Sequence, residues 1–487
     1  MHDATACDRV RFVTQLRSGG NVPHRYRVLV IVSVATFVAS LDLFIVNIAF
    51  PSIERDFTGT SDATISWVLS VYAIVTAALL VPAGRLADLL GRKRLFMGGL
   101  VTFVGASALC AAAPGAGWLI GARVLQAAGG AVLMPTSLAI LLAEFPARQR
   151  GIAVAIWSAT GAVAAAAGPP IGGLLVQASW RWVFLVNLPI GLVTAVLAAR
   201  VLSESRDPEG KRFPDLAGAA MLVLASTALM LAIVQGQSWG WTSIRMIGLI
   251  AGSVVLAAGF LYWSSRHPAP VLELALFRAR GFRAANISGT LFFAAFGAML
   301  LASVLFLTRV WRVDIVTAGL EIAPGPITAA AFAVPGSLLS RRFGERTVAA
   351  AGSLLFALAG IWWLGAAGLQ PHYATEFLPG WIIGGAGVGL VIPTLASATA
   401  ASLPASRFAT GSAVYGMTRQ FGIALGIAIL IAVLGTPRAA DVLPAFRTGW
   451  AVIVGLALAS AIAATTIGRI RIEAVDTVTV PELKEAV

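Results

Sequence analysis

A single carboxylate, Asp42, sits in the run VASLDLFIVNIAF at 38–50, whose only other polar residues are Ser40 and Asn47. At the centre of a membrane-spanning helix a carboxylate costs about 2.5–3.5 kcal/mol on insertion scales, so a chain that keeps one has a use for it. Two uses fit: exchanging a proton, or neutralising a buried cation. A cation is available, because Arg123 lies in another apolar run with Gln126 and Gly130 at i, i+3 and i+7, on one helix face. A buried guanidinium must be paired, and Asp42 is the most economical partner in the first half of the chain. The residues alone leave open whether the pair is permanent or is broken and remade as Asp42 takes up and releases a proton.

Other polar groups inside apolar runs are candidates for a substrate cavity. Asn47 shares a face of its run with Ser40, an arrangement that also suits hydrogen bonding between helices. Gln126 and Gln420 are uncharged donors and acceptors of the kind that orient a small molecule. Arg419 lies mid-run on one face with Tyr415, Gly422 and Gly426, placed either to contact substrate or to bond freed carbonyls. Glu321 lies about one turn inside its run, near the outer surface, and reads equally as a second titrating group, a cation ligand or a solvated carboxylate. Trp67, Tyr72 and Trp157 suit a cavity wall or an interfacial belt.

The chemistry the chain lacks is as informative. Its four histidines, His2, His24, His267 and His372, fall outside the apolar runs, and its two cysteines are Cys7 in a polar stretch and Cys110 in an apolar one. No metal site, disulfide framework or cofactor is expected from such a set. A membrane enzyme or flippase would need a nucleophile, a metal cluster or an acid and base pair, and the apolar runs hold none.

The elements that carry these residues are set by composition. Of 487 residues 58% are hydrophobic and 12% charged, against about 25% charged in soluble domains, and the mean hydropathy is +0.86. About fourteen stretches are long enough to span a bilayer, beginning near Val28, Thr64, Leu95, Trp118, Gly151, Trp182, Asp215, Ser243, Ala284, Thr317, Arg346, Tyr373, Phe408 and Thr448. The net charge of +13 does not mark nucleic acid, because the basic residues recur in short clusters between runs. Those in the N-terminal tail, in the second-to-third loop (Arg85, Arg92, Lys93, Arg94) and in the loops with Arg206, Lys211, Arg212, Arg266, Arg278, Arg280 and Arg283 all fall on one face. The positive-inside rule makes that face, and both termini, cytoplasmic.

An internal repeat divides the spans. VPAGRLADLLGRKRLFMGG at 81–99 recurs as VPGSLLSRRFGERTVAAAG at 334–352, and MPTSLAILLAEFPA at 134–147 recurs as IPTLASATAASLPA at 392–405. Both copies start from the same side, so the expected fold is an all-α polytopic membrane protein of 6 + 2 + 6 transmembrane helices, two pseudo-symmetric six-helix bundles around a central cavity. The expected divisions are a cytoplasmic tail at 1–27, a six-helix bundle at 28–202, a linker with two inserted helices at 203–283, a second bundle at 284–468 and a cytoplasmic tail at 469–487.

GRLADLLGRKR at 84–94 resembles the loop signature of the major facilitator superfamily, carried by Gly84, Asp88, Gly91, Arg92 and Lys93. GARVLQAAGGA resembles the family's span-four motif, and GPPIGG at 168–173, followed by WRWVFLVNLPIG, resembles the span-five motif of its antiporters. LDLFIVNIAFP, QGQSWGW, PVLELALFRARGF, AGLEIAPGP and TRQFGIALGIAIL are similar to segments of the fourteen-span drug:proton antiporter branch (EmrB/QacA-like). The resemblance implies a major facilitator fold and a proton-coupled secondary transporter that exports small amphipathic drugs or metabolites from the cell membrane. It favours Asp42 and Arg123 in proton coupling, with protons and a small molecule as partners; Glu321 is added as a second titrating candidate from its position alone, and a cavity enclosed by two halves needs no second chain. Uptake of a metabolite by proton symport on the same fold is the alternative, against which GPPIGG argues.

Two motifs also read physically. In the 84–94 loop, Gly84 and Gly91 permit tight exits from two helices, and Asp88 is placed to cap a helix or pair with an arginine, the breakable ion pair a conformational latch needs. The second copy has Arg341 where the first has Asp88. In span five, Pro169 and Pro170 cannot donate to the carbonyls one turn earlier, while Gly168, Gly172 and Gly173 allow a neighbour to approach closely. A hinge or seal is one use of such a helix, and close packing alone is another.

Overall fold

The computed structural model describes residues 23–205, 215–403, 408–435 and 441–468. The tails read at 1–27 and 469–487 lie outside it except for 23–27, as do Cys7 and the linker stretch 206–214 with Arg206, Lys211 and Arg212.

Fourteen helices among the described residues are long and apolar enough to cross a membrane. Helices are the expected solution for apolar runs in lipid, because every backbone donor and acceptor is then satisfied within its own segment. In order they are α1 (His24–Asp56), α2 (Asp62–Leu90), α3 (Arg92–Ala111), α4 (Ala116–Glu144), α5 (Ala147–Ala178), α6 (Trp182–Val201), α7 (Leu216–Trp239), α8 (Ile244–Arg266), α9 (Arg280–Val310), α10 (Ile315–Phe343), α11 (Glu345–Ala366), α12 (Tyr373–Ala401), α13 (Phe408–Leu434) and α14 (Val442–Thr465). Helices α1 and α9 start at His24 and Arg280, a turn before their apolar runs.

The sequence repeat is visible in the packing. In the first half α1 packs on α5, α2 on α4, α3 on α4 and α3 on α6; in the second α9 packs on α13, α10 on α12, α11 on α12 and α11 on α14. The α3–α4 crossing is built on Gly99 and Gly129, where a side chain on Gly129 would meet the Phe103 nitrogen and the Gly99 carbonyl. The α11–α12 crossing repeats it with Gly352 and Gly387, where a side chain on Gly387 would meet the Phe356 nitrogen and the Gly352 carbonyl. Such small-residue crossings replace the hydrophobic drive that helices lack in lipid.

Across the halves, α2 packs on α13 and α5 on α10, a symmetric pair of contacts. The inserted α7 and α8 pack on each other, and α7 also lies against α2 and α13. The insertion therefore lies along one seam between the halves.

Candidate functional site

Asp42 is 0% exposed on α1, and its carboxylate collects donors from three other residues. Arg123 Nη1 on α4 donates to Oδ2, Gln126 Nε2 donates to Oδ1 at 2.8 Å, and Asn187 Nδ2 at the start of α6 donates to Oδ1 at 3.1 Å. Gln126 turns its carbonyl oxygen to Arg123 Nη1 at 2.6 Å, and Ser107 Oγ on α3 accepts from Gln126 at 2.8 Å and from Asn187 at 3.3 Å. Arg123 Nε donates to the Val68 carbonyl at 3.0 Å, and its guanidinium lies 4.2 Å from the centre of the Tyr72 ring. Gly130 completes the arrangement: a Cβ there would meet the Tyr72 hydroxyl at 2.7 Å.

The expected pair of Asp42 with Arg123 is therefore present, on the expected face of α4. Two features differ from the sequence reading. Gln126, read as a cavity residue, is 0% exposed and has both ends engaged with the ion pair. Asn187 and Ser107 join the network although no spacing within their own segments marks them; Asn187 lies within WRWVFLVNLPIG.

Glu321 is half-buried on α10 and is not part of this network. Its backbone oxygen accepts from the Tyr373 hydroxyl at 2.9 Å, while its buried Oε2 has no hydrogen-bond partner. Asn47 is buried and spends its amide nitrogen on the Leu43 carbonyl of its own helix at 2.7 Å, leaving Oδ1 unpartnered. On α13, Gln420 is buried with a free Oε1 and Arg419 is half-buried with a free Nε.

The loop motif is organised within its own half. Asp88 pairs with Arg92 one turn on, at 3.0 Å. Glu204, just after α6, accepts from the backbone nitrogens of Lys93 and Arg94 at the start of α3, and Lys93 Nζ donates to the Ala199 carbonyl at 2.8 Å. Gly91 holds the α2–α3 turn at φ 112°, and its repeat counterpart Gly344 holds the α10–α11 turn at φ 85°. Gly84 does not form a helix exit: it lies inside α2, where its open side faces Pro135 of α4 at 3.5 Å. From this region Arg85 reaches the linker, donating to Glu273 and to the Pro270 carbonyl, both at 3.0 Å.

Helix α5 continues through Pro169 and Pro170. Gly168 and Gly172 face α1, packing against Phe44 and against Ile45 and Ile48. Gly173, one residue round the helix, faces the other half, where a Cβ would lie 2.9 Å from the Ile315 carbonyl and the Val316 Cα of α10. Gly319 of α10 approaches the Pro169 carbonyl in return. The motif thus packs α5 on two sides at once.

A second charged cluster joins the halves at the opposite end from the loop motif. Arg309, at the end of α9, pairs with Glu54 at the end of α1 and with Asp62 at the start of α2, the latter at 2.8 Å. None of the three was legible as a site in the sequence, because each lies at the end of a span where a charge is unremarkable.

The sequence pattern of the Major Facilitator Superfamily matches residues 32–309. The chain is 33% identical over 423 residues to the multidrug resistance protein Stp of Mycobacterium tuberculosis (strain CDC 1551 / Oshkosh), covering 85% of this chain and 77% of that one. It is 32% identical over 418 residues to a probable actinorhodin transporter of Streptomyces coelicolor (strain ATCC BAA-471 / A3(2) / M145), covering 83% and 72%. Among solved structures it resembles a D-xylose-proton symporter, with a TM-score of 0.68 and 12% identity over 92% of this chain and 98% of that one. It also resembles an inward-facing, unoccupied bacterial homologue of the lysosomal transporter Spinster, with a TM-score of 0.65 and 19% identity over 92% and 97%.

Proposed function

Because the chain belongs to the Major Facilitator Superfamily, we propose that it is a proton-coupled transporter that exports small amphipathic compounds by alternating access. The observation that carries this reading is the Asp42 network. A carboxylate buried mid-span and held by Arg123, Gln126 and Asn187 is a proton site whose occupancy decides how α1, α4 and α6 fit together. Protonating Asp42 removes the charge that Arg123 neutralises, and a buried unpaired guanidinium costs several kcal/mol. Proton uptake therefore favours a rearrangement of the helices that share the network, and proton release restores it.

With both termini on the cytoplasmic side, this reading makes the structure a state closed at the outer end. Arg309 with Glu54 and Asp62, and the close contact of α5 with α10 at Gly173 and Gly319, tie the halves together there. In the cycle, opening outward separates these contacts and gives Asp42 access to external protons. The bundles at 28–202 and 284–468 move as units, with 203–283 as their connection. The distribution of basic residues supports a cell-membrane protein with both termini cytoplasmic, working as a monomer because two halves already enclose the path.

Export rather than uptake is supported by the relatives, which carry names such as multidrug resistance protein and tetracenomycin C resistance and export protein. Cells expressing the chain should accumulate less of an amphipathic antibacterial than control cells, and a protonophore should abolish the difference. Equal accumulation with and without the protonophore contradicts proton-driven export.

A further inference from the structure

Two arginines inside the described spans are matched by carboxylates, and one near mid-membrane is not. Arg123 has Asp42, and Arg309 has Glu54 and Asp62. Arg419, near the middle of α13, has no ion-pair or hydrogen-bond partner among the described residues, and its Nε is buried and unsatisfied. A guanidinium in that position is costly unless something neutralises it.

The place of Arg419 on α13 borders both halves. On one side of it Gly416 lies against Leu80 of α2, in the first half; on the other, Gly422 packs on Thr290 and Phe293 of α9, in the second. Arg419 lies between these two contacts on the helix surface, so it faces the seam between the halves. It remains half-buried rather than sealed, and Ser412, on the same face toward the cytoplasmic end, is exposed. Aromatic surface adjoins it, since Tyr415, one turn away, is partly exposed, its ring braced 6.1 Å from that of the buried Phe293. Gln420 adds a buried, unpartnered carbonyl oxygen next in the chain.

Resting on the export reading, we propose that Arg419 is the receiving group for an acidic substrate: a compound with an apolar body and one carboxylate or phenolate. The anion supplies the counter-charge that the protein withholds, the guanidinium gives it a two-pronged donor, and the ring of Tyr415 takes the apolar body. A lipophilic cation meets an unfavourable charge at the same place, so the site selects by sign as well as by size.

Efflux of rhodamine B, which carries a free carboxylate, and of its ethyl ester, which does not, tests this in cells deprived of their own exporters. The wild type should export the acid faster than the ester. Arg419→Gln should lower the acid-to-ester ratio by about tenfold or more, the loss expected for one charge-assisted contact, and Arg419→Lys should keep part of it. Because the ratio is measured within one variant, reduced folding or expression does not move it. Equal export of both dyes by wild type and Arg419→Gln overturns the inference and leaves export standing. No expression-dependent export of either dye overturns the export reading, and this inference with it.

Discussion

Arg123 and Asp42 lie 81 residues apart in the chain and meet as an ion pair with both side chains 0% exposed. Removing one partner leaves the other charged and unpaired in the interior, at about 3–5 kcal/mol. Arg123→Gln should therefore lower the unfolding midpoint in detergent strongly. The double variant Asp42→Asn with Arg123→Gln should recover much of that loss, because neither charge is then stranded. Additive losses in the double variant would mean that the two residues do not act as a pair.

Asn187 tests whether the network extends beyond that pair. Its amide bonds both Asp42 and Ser107, so Asn187→Ala should destabilise by about 1.5–3 kcal/mol, the range for a hydrogen bond to a charged group. In the background of Asp42→Asn the same substitution should cost less. Thermal unfolding of the four proteins gives the coupling directly, and an unchanged cost would place Asn187 outside the network.

The Arg309 cluster makes a prediction about access. With both native cysteines replaced, a single cysteine at Val316 reports on the α5–α10 seam. Arg309→Gln should speed its labelling by a membrane-impermeant maleimide added from outside, because the tie to Glu54 and Asp62 is lost. Labelling no faster than in the parent protein would show that the cluster does not hold the halves together.

Gly173 and Gly161 lie on the same helix and should behave differently. Alanine at Gly173 puts a methyl group into the backbone of α10, whereas a Cβ at Gly161 meets nothing within 4 Å. Gly173→Ala should reduce transport and raise Val316 labelling, while Gly161→Ala should change neither. Matching behaviour of the two variants would remove the packing account of the GPPIGG segment.

The α2–α3 turn offers a stability test away from the transport path. Gly91 has φ 112° and faces the Glu204 carboxylate, while Gly344 has φ 85° with open space around it. Gly91→Ala should cost more than the ~1 kcal/mol expected from backbone strain alone, and Gly344→Ala about that amount. Unfolding midpoints in detergent compare the two, and equal shifts would show that Glu204 yields without cost.

These contrasts also show which features local rules reach. The lone charge in an apolar run, the i, i+3, i+7 face of α4, the sequence repeat and the glycine of the α2–α3 turn all depend on spacing within one segment, and each was readable. Gln126 was placed on the right face but in the wrong surroundings, because a helix period does not say whether a neighbouring helix or open space lies opposite. Gly84 was read from its motif as a helix exit, although the helix runs on through it to Leu90. Arg309 with Glu54, and Arg85 with Glu273, join positions 255 and 188 residues apart. Ordinary charges at helix ends become a site only when tertiary packing brings the ends together.

The central claim is that Asp42 carries the coupled proton. The most direct measurement uses everted vesicles acidified inside, with a fluorescent pH probe reporting proton release as an exported compound is added to wild type and Asp42→Asn. Release by the wild type and none by the variant, at matched protein levels, is the predicted result. Equal release by Asp42→Asn would contradict the account and turn attention to Glu321.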